Sequence, residues 1–108
     1  MPSRSAREIF EGYKWEQVGG EAMPSLASAA LLFPNPPDDA RFAILTIRTN
    51  GITVQFDGSD PTASDVGTDY APGTYEFDFS LDKLKIIKAI QQAATATGYI
   101  AYMGLKWE

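Results

Sequence analysis

Apolar and polar residues alternate along several short stretches of this chain, and turn-forming residues separate one stretch from the next. The best strand is Arg41 to Thr49, Arg-Phe-Ala-Ile-Leu-Thr-Ile-Arg-Thr, whose β-branched and aromatic content is high and whose ends carry turn residues. Asn50-Gly51 follows directly, and Ile52 to Phe56 then reads Ile-Thr-Val-Gln-Phe. Asn-Gly between two such runs predicts a hairpin, because both residues tolerate positive φ. Ile52, Val54 and Phe56 are expected to share its buried face. Thr74 to Phe79 alternates again, which turns Tyr75, Phe77 and Phe79 inward and Glu76 and Asp78 outward. Gly98 precedes a final strand, Tyr99 to Trp107, in which Tyr99, Ala101 and Met103 oppose Ile100 and Tyr102.

Other segments are less regular. Ser25 to Phe33 reads as a strand with a small-residue section, and the prolines and aspartates of 34–39 form a loop that cannot continue a ladder. Asp57 to Tyr70 is a long turn-rich loop, and Ala71-Pro72-Gly73 a tight turn. Ser80 to Gln92 has two readings. One is a helix capped by Ser80, with Leu81, Leu84, Ile87 and Ile90 on one stripe; the other is a helical turn, Ser80 to Leu84, leading into a strand over Lys85 to Ile90. The isoleucine-rich run and the strands around it favour the second.

The first twenty-odd residues are polar, with Ile9, Phe10, Tyr13, Trp15 and Val18 as their apolar positions. Ser5 and Glu8 fit a capping box for a short helix, whereas Gly12 and the alternation after it favour a helical turn followed by a short strand that ends at Gly19-Gly20. The fold class expected is all-β: a small antiparallel β-sandwich or jelly-roll-like barrel, with an N-terminal arm over residues 1–22 and one β domain over 23–108. Tyr13, Trp15, Val18 and Trp107 are the candidate interface residues. They either cover the edge of this chain's own core or pack on a neighbouring subunit.

Composition narrows the function. The chain of 108 residues suits one domain, and its net charge of −5 is the wrong sign for gripping phosphates, so no nucleic-acid partner is expected. It has no cysteine and no histidine, which removes disulfides, thiolate nucleophiles and the commonest general base and metal ligand. No secretory signal is readable, and the longest apolar stretch, Ala27 to Pro34, is too short to span a bilayer. A protein made in the cytoplasm, with no membrane partner, is the expectation.

Asp57, Asp60, Asp65 and Asp69 crowd one loop, and oxygen-rich loops bind calcium. Gly58 directly follows the first aspartate, however, and no glutamate closes the loop as an EF-hand requires. Asp57, Gly58, Asp60, Pro61 and Thr62 are therefore assigned to a structural turn, with calcium the alternative. Glu76 and Asp78 fall on a strand's solvent face, and Lys83, Lys85 and Lys88 read as a solvated face. No catalytic, cofactor-binding or metal-ligating residue is assigned, and an enzyme is not expected. Tyr13, Trp15, Tyr70, Tyr75, Tyr99, Tyr102 and Trp107 would furnish either a sugar-stacking platform or a core and an interface; a small β domain favours the latter.

The run Ile-Thr-Val-Gln-Phe-Asp-Gly-Ser-Asp-Pro-Thr-Ala-Ser-Asp-Val-Gly, from Ile52 to Gly67, resembles a motif in small structural proteins of tailed bacteriophages. In these a strand ends in Asp-Gly-Ser/Thr-x-Pro-Thr, with a later Gly, a turn-and-strand section, an isoleucine-rich strand and a last strand containing tyrosine. Here Ala71 to Phe79, Lys85 to Ile90 and Tyr99 to Met103 are similar to those parts, as is the preceding Ala43 to Ile47. The resemblance covers roughly Phe42 to Met103 and leaves the first forty residues unmatched. A similar turn occurs in β-sandwich modules appended to chitobiase-like enzymes, but a chain opening at Met1 with no signal peptide is not expected to be such a module. The resemblance implies a virion component, a capsid decoration (cement) protein that binds the major capsid protein and itself as a homo-oligomer. The alternative is a tail- or head-attached module recognising a carbohydrate or another host-surface ligand.

Overall fold

The structure, a computed structural model, describes residues 13–107 and, of their side chains, those of 14–106. Residues 1–12 of the expected arm, and the side chains of Tyr13 and Trp107, lie outside the described residues. The described residues form eight strands and one helical turn, in order β1 Tyr13–Ala22, β2 Ala30–Leu31, β3 Phe42–Thr49, β4 Ile52–Gln55, β5 Thr68–Tyr70, β6 Gly73–Phe77, α1 Leu81–Leu84, β7 Lys88–Gln91 and β8 Thr97–Trp107. They form two four-stranded antiparallel sheets, ordered β1-β8-β3-β6 and β2-β7-β4-β5. Strand 1 lies beside 8, 2 beside 7, 3 beside 6 and 4 beside 5. A chain doubled back on itself and then rolled into two layers has this order, which is the jelly-roll form of a β-sandwich.

The interior holds the inward phase of each strand. Ala43, Leu45 and Ile47 of β3, Ile52 and Val54 of β4, Phe77 of β6, Ala89 of β7, and Ile100 and Tyr102 of β8 are buried in one cluster. Leu26, Leu32, Phe33, Leu84 and Ile87 fill it from the connections. Phe33 packs edge-on against Phe77 of β6 at 5.2 Å and against Tyr102 of β8 at 6.3 Å, so a ring from the β2–β3 connection covers the inner side of the first sheet. Tyr75, Phe77 and Phe79 point inward while Glu76 and Asp78 are exposed, as the alternation requires. The Ser80 to Gln92 ambiguity resolves into the turn α1 and the strand β7, the reading favoured by the isoleucines.

Three local expectations are corrected. Asn50-Gly51 is not a hairpin: β3 and β4 lie in different sheets. Of the two residues only Asn50 takes positive φ, +58°, whereas the two-residue type I′ turn needs it at both. Both edges of β3 are already occupied, by β8 and β6, so β4 crosses to the other layer and pairs with β7 and β5. The strand read over Ser25 to Phe33 shrinks to Ala30–Leu31, because Leu32 and Phe33 are both buried and no period of two survives. Gly19-Gly20 does not end the first strand. The pairing continues to Ala22 past a bulge at Val18, and Gly19 admits the ring of Pro37, which a Cβ would approach to 2.7 Å. Residues 13–22, grouped with the arm on sequence, are thus the edge strand of the first sheet.

Candidate functional site

The aspartate loop spends its side chains on its own backbone and on neighbouring strands. Asp57 Oδ1 accepts from the amide and the hydroxyl of Ser59, and Gly58 turns the chain at φ +88°. The two bonds from Ser59, the hydroxyl first, hold the Asp57 carboxyl below its ordinary pKa. Asp60 pairs with Lys88 at 3.0 Å, Pro61 is buried, and Thr62 Oγ1 accepts from the amides of Asp65 and Val66 at 3.0 and 2.9 Å. Asp69 accepts from the hydroxyl of Thr53 at 3.0 Å. Among the described residues, no three carboxylates converge on a point where a metal ion could be held.

The aromatic residues divide between the interior and one outer face. Tyr70 stands edge-on to Tyr75 at 4.9 Å and 5.5 Å from Phe77; the Tyr75 hydroxyl donates to the carbonyl of Ala71, and Tyr102 is buried. Tyr99 is exposed, and its hydroxyl accepts from Gln17 at 3.1 Å. A flat row of stacking rings, as a sugar platform needs, is not assembled from these four tyrosines.

The outward phase of the first sheet is the least usual surface. Opposite the core-facing residues, Phe42 and Ile44 of β3, Ala101, Met103 and Leu105 of β8 and Trp15 of β1 share one face, as their register shows. Phe42 pairs with Met103 and Trp15 with Leu105, and the Trp15 and Phe42 rings meet edge-on at 5.0 Å. A face turned away from a sandwich core is ordinarily polar. Here Phe42 is only 4% exposed although it lies outside the core cluster. The indole Nε1 of Trp15 is buried without an acceptor among the described residues, and such a donor costs free energy until an acceptor reaches it. Of the four interface candidates, Trp15 sits on this face, whereas Val18 sits in the bulge and packs against the core beside Gly104. Phe42 was missed on sequence. Its signal was that both phases of Phe42 to Leu45 are apolar, which marks a strand covered on two sides.

Shallow hollows lie among the described residues. One, of about 500 Å³, is lined by Leu31, Phe33, Pro34, Asn35 and Pro36, with Asp38 and Lys85 as its ionisable groups. Another, of about 300 Å³, lies between 22–27 and the start of β8 and has no ionisable lining residue. Among the described residues no helix is long and apolar enough to cross a membrane. No protein-family model matches the chain, and neither a curated protein nor a solved structure matches it significantly.

Proposed function

We propose that this chain is a non-enzymatic structural protein of a tailed-phage virion, a capsid decoration protein that binds and stabilises the outer surface of the head shell. The observation that carries the reading is the apolar outer face of the first sheet, where Trp15, at its β1 edge, keeps a buried indole Nε1 with no acceptor among the described residues. Such a face suits a protein surface rather than a small ligand, since buried aromatic anchors dominate protein–protein contacts. The jelly-roll order and the phage-like motif of Ile52 to Gly67 support it as analogies of fold and sequence, and a fold hosts many functions. A small acidic domain repeated over a shell would add weak contacts into a strong grip. The partners proposed are the major capsid protein and further copies of the chain, and the location the virion, after synthesis in the host cytoplasm.

The test is co-sedimentation of the full chain with capsids of a phage carrying this gene, beside Trp15→Ala and a truncation of residues 1–12, which leaves β1 intact. Saturable binding that Trp15→Ala weakens at least about tenfold supports the reading, as expected for an aromatic hot spot. Failure of the full chain to bind, with retention on tails or on a glycan array instead, replaces it with the carbohydrate-binding alternative.

A further inference from the structure

The edges of the two sheets are unequal. β2, β5 and β6 are edge strands of two, three and five residues, but β1 is an edge of ten. Natural β proteins keep open edges short, bulged or charged, because an unpaired edge is a template for another strand. β1 is bulged at Val18, which leaves Tyr13–Gln17 as an unbroken stretch of five residues centred on Trp15. On one side of that stretch stand Lys14 and Glu16. Lys14 lies directly opposite Lys106 of β8, a like-charge pair that costs stability, and Lys106 spends its charge on Asp39 at 3.2 Å. Glu16 lies opposite Gly104, which has no side chain to meet it. Among the described residues neither Lys14 nor Glu16 has an ion-pair partner.

We infer that β1 pairs with β1 of a second copy of this chain, antiparallel and centred on Trp15. In that register each Lys14 faces the Glu16 of the other copy, each Tyr13 faces a Gln17, and the two Trp15 meet at the two-fold axis. All five residues of the unbroken stretch are used and none of the bulge. The pairing is self-complementary, as a two-fold interface must be. It supplies the carboxylate that Lys14 lacks, and it closes the longest edge among the described residues. A strand of a different protein would need this reciprocal charge pattern by coincidence, so a second copy is the occupant the charges select. From the proposed function the inference takes only that copies of this chain associate.

The experiment is sedimentation velocity on the full chain over a concentration series, with thermal melts of each variant to show that it folds. The native chain is expected to dimerise, and Glu16→Lys to weaken the dimer at least about tenfold by setting lysine against lysine. The double reversal Lys14→Glu/Glu16→Lys is expected to restore it. Should Glu16→Lys fail to fold, Glu16→Gln gives a smaller loss in the same direction. A monomer at every concentration, a dimer indifferent to these substitutions, or a double reversal that fails to rescue would each overturn the inference. A dimer that ignores shells leaves it standing and removes the decoration reading; a monomer that binds shells does the reverse.

Discussion

The hydroxyl of Tyr102 donates a 2.6 Å hydrogen bond to Glu21 Oε2, joining the last strand to the first across 81 positions of sequence. The same carboxylate accepts from the amide and the side-chain Nδ2 of Asn35, at 3.1 and 3.0 Å, so the proline loop is tied to the same point. Charge-assisted bonds of this kind contribute more than neutral ones. Tyr102→Phe keeps the ring but removes the bond, and should lower unfolding free energy by about 1.5–3 kcal/mol in urea titrations. A loss near zero would mean that water replaces the phenol at Glu21.

Alkaline pH tests the same residue. Burial, and then the bond to Glu21, raise the Tyr102 hydroxyl well above its ordinary pKa of 10.0. An acid whose folded pKa is raised binds its proton more tightly in the folded state. Stability is therefore unaffected below the unfolded value and falls as pH rises beyond it. Phenolate absorbance should show Tyr102 ionising together with unfolding, and Tyr102→Phe should flatten the decline above pH 10.0. Ionisation of Tyr102 in the still-folded protein would contradict this.

At the acid end, Asp57 behaves oppositely. Its folded pKa lies below 3.8, so its contribution to stability is present above that value and fades as pH falls through the folded one. The group is exposed, and the effect on overall stability is correspondingly small. Carboxyl chemical shifts followed by NMR should place Asp57 below 3.8, and Ser59→Ala should move it up toward that value. An unmoved titration would show that the Asp57–Ser59 turn is not held in solution.

Gly98 lies where β8 passes β3, and a Cβ there would collide with the carbonyl oxygen of Thr46. Backbone cannot step aside as a side chain can. Gly98→Ala is expected to cost more than about 2 kcal/mol, read as a lower denaturation midpoint at an unchanged slope.

Asn50 holds φ +58° and donates from Nδ2 to the carbonyl of Thr95 at 2.8 Å. Asn50→Ala loses the bond and strains the backbone, for about 1–3 kcal/mol. Asn50→Gly loses the bond but relieves the strain, and should cost less. Equal losses would show that conformation plays no part at this turn.

The outer-face site was half legible. Trp15 stood out as a large apolar residue in a polar segment, and Val18 beside it was read the same way. Three positions apart on a strand, they fall on opposite faces by alternation alone, so Trp15 packs outward on Phe42 while Val18 packs inward. The bulge acts beyond Val18: one extra residue brings Gly19 and Glu21 opposite Tyr102 and Ile100, in the core-facing phase. A bulge has no fixed sequence mark in such a run, and alternation counted through it would turn Glu21 to the outer face. The aspartates of the long loop carried their own explanation, because the Asp57–Ser59 turn and the Thr62 bonds are local chemistry.

By itself the amino-acid sequence placed strands within 41–49, 52–56, 74–79 and 99–107, the buried phase of the second and third, and the loops between them. Those are properties of period, side-chain size and turn chemistry within a few residues. Only the tertiary structure decided which strand pairs with which. The Asn50-Gly51 turn offers β3 and β4 to each other, yet β3 takes β8 and β6, and β4 crosses to the second layer. Partners distant in sequence win because they give both sheets a full set of ladders and seal one core between them, a gain that no local turn preference of about a kilocalorie can outweigh.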